Sequence, residues 1–128
     1  MKIQKILAVL ALVAFAAFAD AGTLFQKHTA QYGTQTTFYF TLEDVTDAEA
    51  PFVGTAPLAA DIILSKDGGA PAAATNASTA IGNGIYSWVA TATEMQAAVL
   101  AVSIYDQTAS AIFKPGFLFI ETTVTMSK

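Results

Sequence analysis

Short runs of about six residues suited to a pleated surface, each bounded by glycine, asparagine or aspartate, constrain this chain more than any other feature. Ile85 to Ala90 (IYSWVA) follows Gly82-Asn83-Gly84, whose residues tolerate left-handed backbone angles, and reads as a strand entered through a tight turn. Its period of two sends Ile85, Ser87 and Val89 to one face and Tyr86, Trp88 and Ala90 to the other. Thr36 to Leu42 (TTFYFTL) and Asp61 to Lys66 (DIILSK) have the same character, and Asp67-Gly68-Gly69 supplies a hairpin turn after the latter. Val99 to Tyr105 (VLAVSIY) is apolar on both faces, as a central strand covered by a second layer would be. Ile112 and Phe113 are expected to open a last hairpin around Lys114-Pro115-Gly116, completed by Phe117 to Val124 (FLFIETTV).

Between these runs the pattern is of loops. Glu43 to Ala60 collects acids, Pro51, Gly54 and Pro57, and Ala70 to Thr79 is alanine-rich, either a short edge strand or an open loop. Thr93-Glu94-Met95-Gln96 has the spacing of a capping box, with room for only a turn or two of helix. No strand-helix-strand alternation occurs. The expectation is an all-β antiparallel sandwich of about seven short strands with one helical turn; a small open barrel is the runner-up.

The amino terminus is of another kind. Lys2 and Lys5 precede an apolar run from Ile6 to Ala19, and Ala19-Asp20-Ala21 forms a small-x-small site before Gly22. That is the pattern of a secretory signal, and the run is shorter than the ~20 residues that span a bilayer as a helix. Residues 1–21 are therefore expected to be an apolar helix, cleaved on export or retained, touching a membrane only in transit. Residues 22–128 form one domain of the commonest size.

Charge and composition exclude several functions. Nine acids and four lysines remain after residue 21, a net charge near −5 with His28 neutral, and the chain has no arginine. Phosphate backbones need cationic partners, so nucleic acid is rejected as a partner. With no cysteine there are no disulfides and no thiolate chemistry, and stability must come from packing.

No residues assemble into catalytic, cofactor-binding or metal-binding machinery in the sequence. His28, the sole imidazole, lies between Lys27 and Thr29 with no nucleophile elbow anywhere in the chain, and is expected to be a solvated surface residue. Glu43, Asp44, Asp47 and Glu49 are close enough in sequence to surround calcium, which takes six to eight oxygens; a solvated acidic loop is the favoured alternative. Tyr32, Tyr39, Tyr86, Trp88 and Tyr105 could form a sugar platform. All but Tyr32 fall in predicted strands, where large rings fill cores, and Trp88 is the expected core centre. Asn76-Ala77-Ser78 matches a glycosylation acceptor.

Several segments taken in order resemble a known group. Asp61 to Gly69 (DIILSKDGG), Ala73-Ala74-Thr75-Asn76, Gly82-Asn83-Gly84-Ile85-Tyr86, Thr91 to Ala97 (TATEMQA), Val102 to Ala109 with its Asp106-Gln107-Thr108-Ala109, and Ile120-Glu121-Thr122 are similar to elements of small immunoglobulin-like (Ig-like) domains from structural gene clusters of tailed phages and prophages. The likeness runs from about Thr36 to Thr122. It implies an Ig-like β-sandwich and a non-enzymatic virion part: a capsid decoration, fibre or tail-associated module, present in several copies or as a homo-oligomer, bound to other virion proteins. No catalytic residue, cofactor or metal comes with it. The competing expectation, from the export signal and the aromatics, is a secreted or periplasmic module binding surface glycans or proteins.

Overall fold

Trp88 organises the domain. It sits in mid-strand with none of its surface exposed, and the strand around it alternates as the sequence predicts, Tyr86 and Ala90 buried beside it and Ile85 turned outward. The computed structural model describes residues 25–47 and 49–125. Within them lie eight strands: β1 (Phe25–Gln31), β2 (Thr36–Thr41), β3 (Ile62–Lys66), β4 (Ala72–Ala73), β5 (Thr79–Gly82), β6 (Ile85–Ala90), β7 (Val99–Ile104) and β8 (Gly116–Thr123). They form two sheets, one in the order β1-β8-β7-β3-β4 and one in the order β2-β6-β5, packed as a β-sandwich. The apolar segment 1–21 expected to be a helix lies outside the described residues.

The core is the filling between the two inner faces. Phe38 and Phe40 of β2 join Tyr86 and Trp88 of β6, with Phe38 stacked on Trp88 at 5.9 Å between ring centroids. Opposite them stand Ile62 and Leu64 of β3, Leu100, Val102 and Ile104 of β7, and Leu118 and Ile120 of β8. With no cysteine in the chain, burial of these side chains supplies the cohesion, each large one contributing about 1.5–3 kcal/mol.

The structure departs from the sequence expectation at three places. β1 was not resolved by the pattern, because Gln26, Lys27 and His28 mask its alternation. It pairs with β8 in parallel, Phe25 opposite Phe117 through Gln31 opposite Thr123, so the sandwich is not purely antiparallel. The alanine-rich stretch takes the first of its two expected forms: it contributes the short edge strand β4 and leads into β5, also at an edge, and the residues of both are exposed. Phe113 makes no hairpin with β8; it bridges Asp44 while β8 pairs with β7. The helical turn is a 3-10 turn at Ala59–Asp61 rather than at Thr93.

The two turns singled out by glycine content do form. Asp67 (φ 50°) and Gly68 (φ 75°) turn the chain from β3 toward β4, closed by the Gly69 amide donating to the Lys66 carbonyl at 2.8 Å. Asn83 (φ 52°) and Gly84 (φ 76°) join β5 to β6. Left-handed angles in succession suit the twist of a hairpin.

Candidate functional site

The acidic loop is the densest polar cluster in the sequence, and the carboxylates of Glu43, Asp44 and Asp47 are spent locally. The Asp44 carboxylate accepts hydrogen bonds from the Thr46 hydroxyl at 2.6 Å and the Thr46 amide at 2.7 Å, which hold it below the usual carboxylate range. Asp47 accepts the Glu49 amide at 3.1 Å. Glu43 turns away to an ion pair with Lys114 at 3.5 Å, and its carbonyl accepts the Lys114 amide. Among the described residues no three carboxylates or imidazoles converge as a metal cage. The loop is a series of Asx turns tied down by short bridges from Glu43 to Pro51 and from Asp44 to Phe113.

A second acid lies where the capping box was expected, displaced by two residues. The box is Thr91 with Glu94. The Glu94 amide donates to the Thr91 hydroxyl at 3.2 Å, and the Glu94 carboxylate accepts from the Thr91 amide at 2.7 Å and hydroxyl at 2.9 Å. Its other oxygen accepts the Thr75 amide at 2.7 Å, pinning the loop after β4. Burial is the largest single influence and raises its pKa, but the hydrogen bonds from Thr91 and Thr75 together outweigh it and leave it below the ordinary value. Thr93 and Gln96, the pair expected from spacing, are exposed, and the Thr93 carbonyl instead accepts Lys66 Nζ at 2.6 Å.

Asp61 and Asp106 line one shallow cavity together with Leu58, Thr108 and Phe113. Both are occupied with the backbone. Asp61 accepts the amides of Leu58 at 2.9 Å and Gln107 at 3.3 Å. Asp106 accepts those of Thr108 at 2.8 Å and Ile112 at 3.1 Å, and hydrogen bonding from Thr108 holds it below the usual aspartate range. These acids shape the two loops at that end of the sandwich.

His28 is not the solvated residue that its charged neighbourhood suggests. It lies on the inner side of β1, its ring edge-on to Phe38 at 5.4 Å, with Nε2 buried and without a hydrogen-bond partner among the described residues. Trp88 Nε1 is in the same condition. Trp88 lies in the core, and the half-buried His28 packs at its edge against Phe38.

The tyrosines divide. Tyr86 is buried, its hydroxyl donating to the Phe52 carbonyl at 3.0 Å and accepting the Gly54 amide at 3.1 Å, which anchors the loop that follows the acidic segment. Tyr39 was expected inside but is 58% exposed, because Phe38 and Phe40 take the inward positions on either side of it. Tyr105, one residue beyond β7, and Tyr32, one residue beyond β1, are also exposed. Asn76 Nδ2, the atom a glycan would be attached to, donates to the Val89 carbonyl at 2.8 Å, and the Ser78 hydroxyl donates to the Pro57 carbonyl. The acceptor pattern therefore serves as internal bracing.

The surface also carries a contiguous apolar region. The outer face of β7, expected to lie under a second layer, lines an open groove of about 220 Å³ with residues of β3 and β8. Ile63, Ala101, Phe117 and Phe119 form its walls, with Ser65 and Ser103 as polar points, and Phe117 is 49% exposed. The alternation of β7 and β8 could have revealed this face, had their outward residues been counted apart from the inward ones. No protein-family model matches the chain, and no curated protein matches it in sequence.

Proposed function

We propose that this domain is a non-enzymatic interaction module of a bacteriophage particle, an Ig-like β-sandwich that docks on other virion proteins as a decoration, fibre or tail-associated part. Its connectivity supports the Ig-like reading. β2, β6 and β5 take the places of strands B, E and D, and β3, β7 and β8 those of C, F and G, with β1 running beside G. The disulfide common in such domains is replaced by aromatic packing, and the central tryptophan stands on the E-like strand rather than on C.

The observation that carries the functional reading is the exposed apolar groove on the C-F-G face. Contiguous apolar surface on a domain whose polar clusters all brace its own loops favours association over chemistry. The order of the phage-like segments, from Asp61 to Thr122, supplies the particle as the setting. Mass spectrometry of purified particles tests it: peptides from residues 25–125 at a fixed ratio to the major capsid protein are expected, and their absence overturns the reading. Phe117→Ser in the groove is expected to leave the domain folded and to deplete it from particles.

A further inference from the structure

Among the described residues β2 is an edge strand without the usual protection against pairing. Edges in native sheets are blunted by brevity, charge, proline or bulges. The other edges here carry such devices: β4 has two residues, β5 has four and a register shift between Ala80 and Gly82, and β1 carries Lys27, paired with Glu121. β2 is Thr-Thr-Phe-Tyr-Phe-Thr, six residues with no charge, no proline and no bulge.

The neighbours of β2 reveal which of its backbone groups are free. The Leu42 carbonyl accepts the Phe52 amide, and Phe52 lies on the β6 side, since Tyr86 of β6 bonds its carbonyl. The Glu43 carbonyl points the opposite way, to the Lys114 amide. Amide and carbonyl directions alternate along a strand, so Phe38 and Phe40 bond to β6 while Thr37, Tyr39 and Thr41 aim theirs at the open edge. Among the described residues nothing pairs with these three on that side.

We infer that β2 pairs with β2 of a second copy of this chain, antiparallel about a two-fold axis through Tyr39. One register uses all the free groups. Tyr39 opposes Tyr39 of the second copy, and Thr37 opposes Thr41 on either side, giving six inter-chain backbone hydrogen bonds and a continuous six-stranded sheet β5-β6-β2-β2-β6-β5. The same register sets inward Phe38 opposite inward Phe40, so both inner faces stay apolar. A two-fold axis brings each central residue against its own copy, which penalises any charge there; β2 has none. The inference stands on this edge alone and holds whether or not the domain belongs to a particle.

Sedimentation velocity and native mass spectrometry on the full chain at about 10–100 μM test it, with Trp88 fluorescence reporting that each variant is folded. The wild type is expected to dimerise. Tyr39→Lys sets two lysines face to face and is expected to weaken the dimer about tenfold or more. A mixture of Tyr39→Lys with Tyr39→Glu is expected to restore it as a heterodimer. Because the chain has no cysteine, Tyr39→Cys gives a unique probe: opposed residues in a hydrogen-bonded pair stand ~5.5 Å apart at Cα, within disulfide reach. Oxidised Tyr39→Cys is expected to form a covalent dimer; Thr37→Cys is expected to do so only when mixed with Thr41→Cys. A monomer at every concentration overturns the inference. So does a dimer unaffected by Tyr39→Lys and not cross-linked at residue 39, which would assign association to the apolar groove or to another segment.

Discussion

Tyr86 and Glu94 each hold a loop to the sandwich by accepting or donating several hydrogen bonds from a buried position, and at the residue scale they are the polar groups the fold can least spare. Tyr86→Phe keeps the ring stacked on Phe40 at 5.8 Å but leaves the Gly54 amide and Phe52 carbonyl without their partner. Urea titration is expected to register a loss of about 1–2 kcal/mol. Glu94 adds a pH dependence. Its carboxylate titrates below the ordinary glutamate value in the folded protein, so the stability it supplies is full at neutral pH and is lost as pH falls through that depressed value. Glu94→Gln removes the charge from three charge-assisted bonds and is expected to cost about 2 kcal/mol at pH 7. The wild-type advantage should shrink as the medium is acidified through that depressed value. Stability measured in steps from pH 7 down to the onset of acid unfolding checks this; a gap that never narrows would rule out the ionised carboxylate as the source.

At the scale of elements, the two glycine turns look alike in sequence but differ in surroundings. Gly68 has a positive φ and open space around the position of a Cβ, so Gly68→Ala carries only the backbone penalty, about 1 kcal/mol. A Cβ on Gly84 would stand 2.7 Å from Pro51 Cβ and 3.2 Å from the Phe52 carbonyl oxygen, so Gly84→Ala adds overpacking and is expected to cost about 3 kcal/mol. Thermal melts of the two variants side by side measure the difference. The same contrast explains what the sequence revealed. Turn chemistry and period-two alternation are local, and they located β2, β3, β6, β7 and β8 to within a residue or so. Which element closes against which is not local. The bridge of Phe113 to Asp44, the parallel place of β1 and the contact of Pro51 with Gly84 depend on chain crossing between layers. The acidic loop was legible as a cluster, whereas the use of its oxygens on neighbouring amides needed geometry. Thr91 escaped notice because Thr93 has equal spacing to a polar partner, and only burial separates the two boxes.

At the scale of the whole molecule, cohesion is unequally distributed. β7 is flanked by β8 and β3, and its alternate residues Leu100, Val102 and Ile104 are all buried against the opposite sheet. β1 is bonded to one neighbour only, and of residues 26–31 only Ala30 is fully buried, with Gln26 and His28 half-buried. Its exposed ion pair from Lys27 to Glu121, 3.0 Å long, contributes at most ~1 kcal/mol and less in salt. Opening β1 should therefore require less free energy than unfolding the sandwich, while β7 and β6 should open only with it. Native-state hydrogen exchange followed by mass spectrometry is expected to find the amides of residues 26–31 exchanging through a sub-global opening, and those of 100–104 and 86–90 through global unfolding. Equal protection in β1 and β7 would instead mean that the parallel β1–β8 ladder is part of a single cooperative unit. The distinction bears on association, because β1 is bound to the strand that carries Phe117. A β1 that opens alone leaves the β7–β8 pair and the groove face standing, so the apolar surface would persist even when the first strand is released.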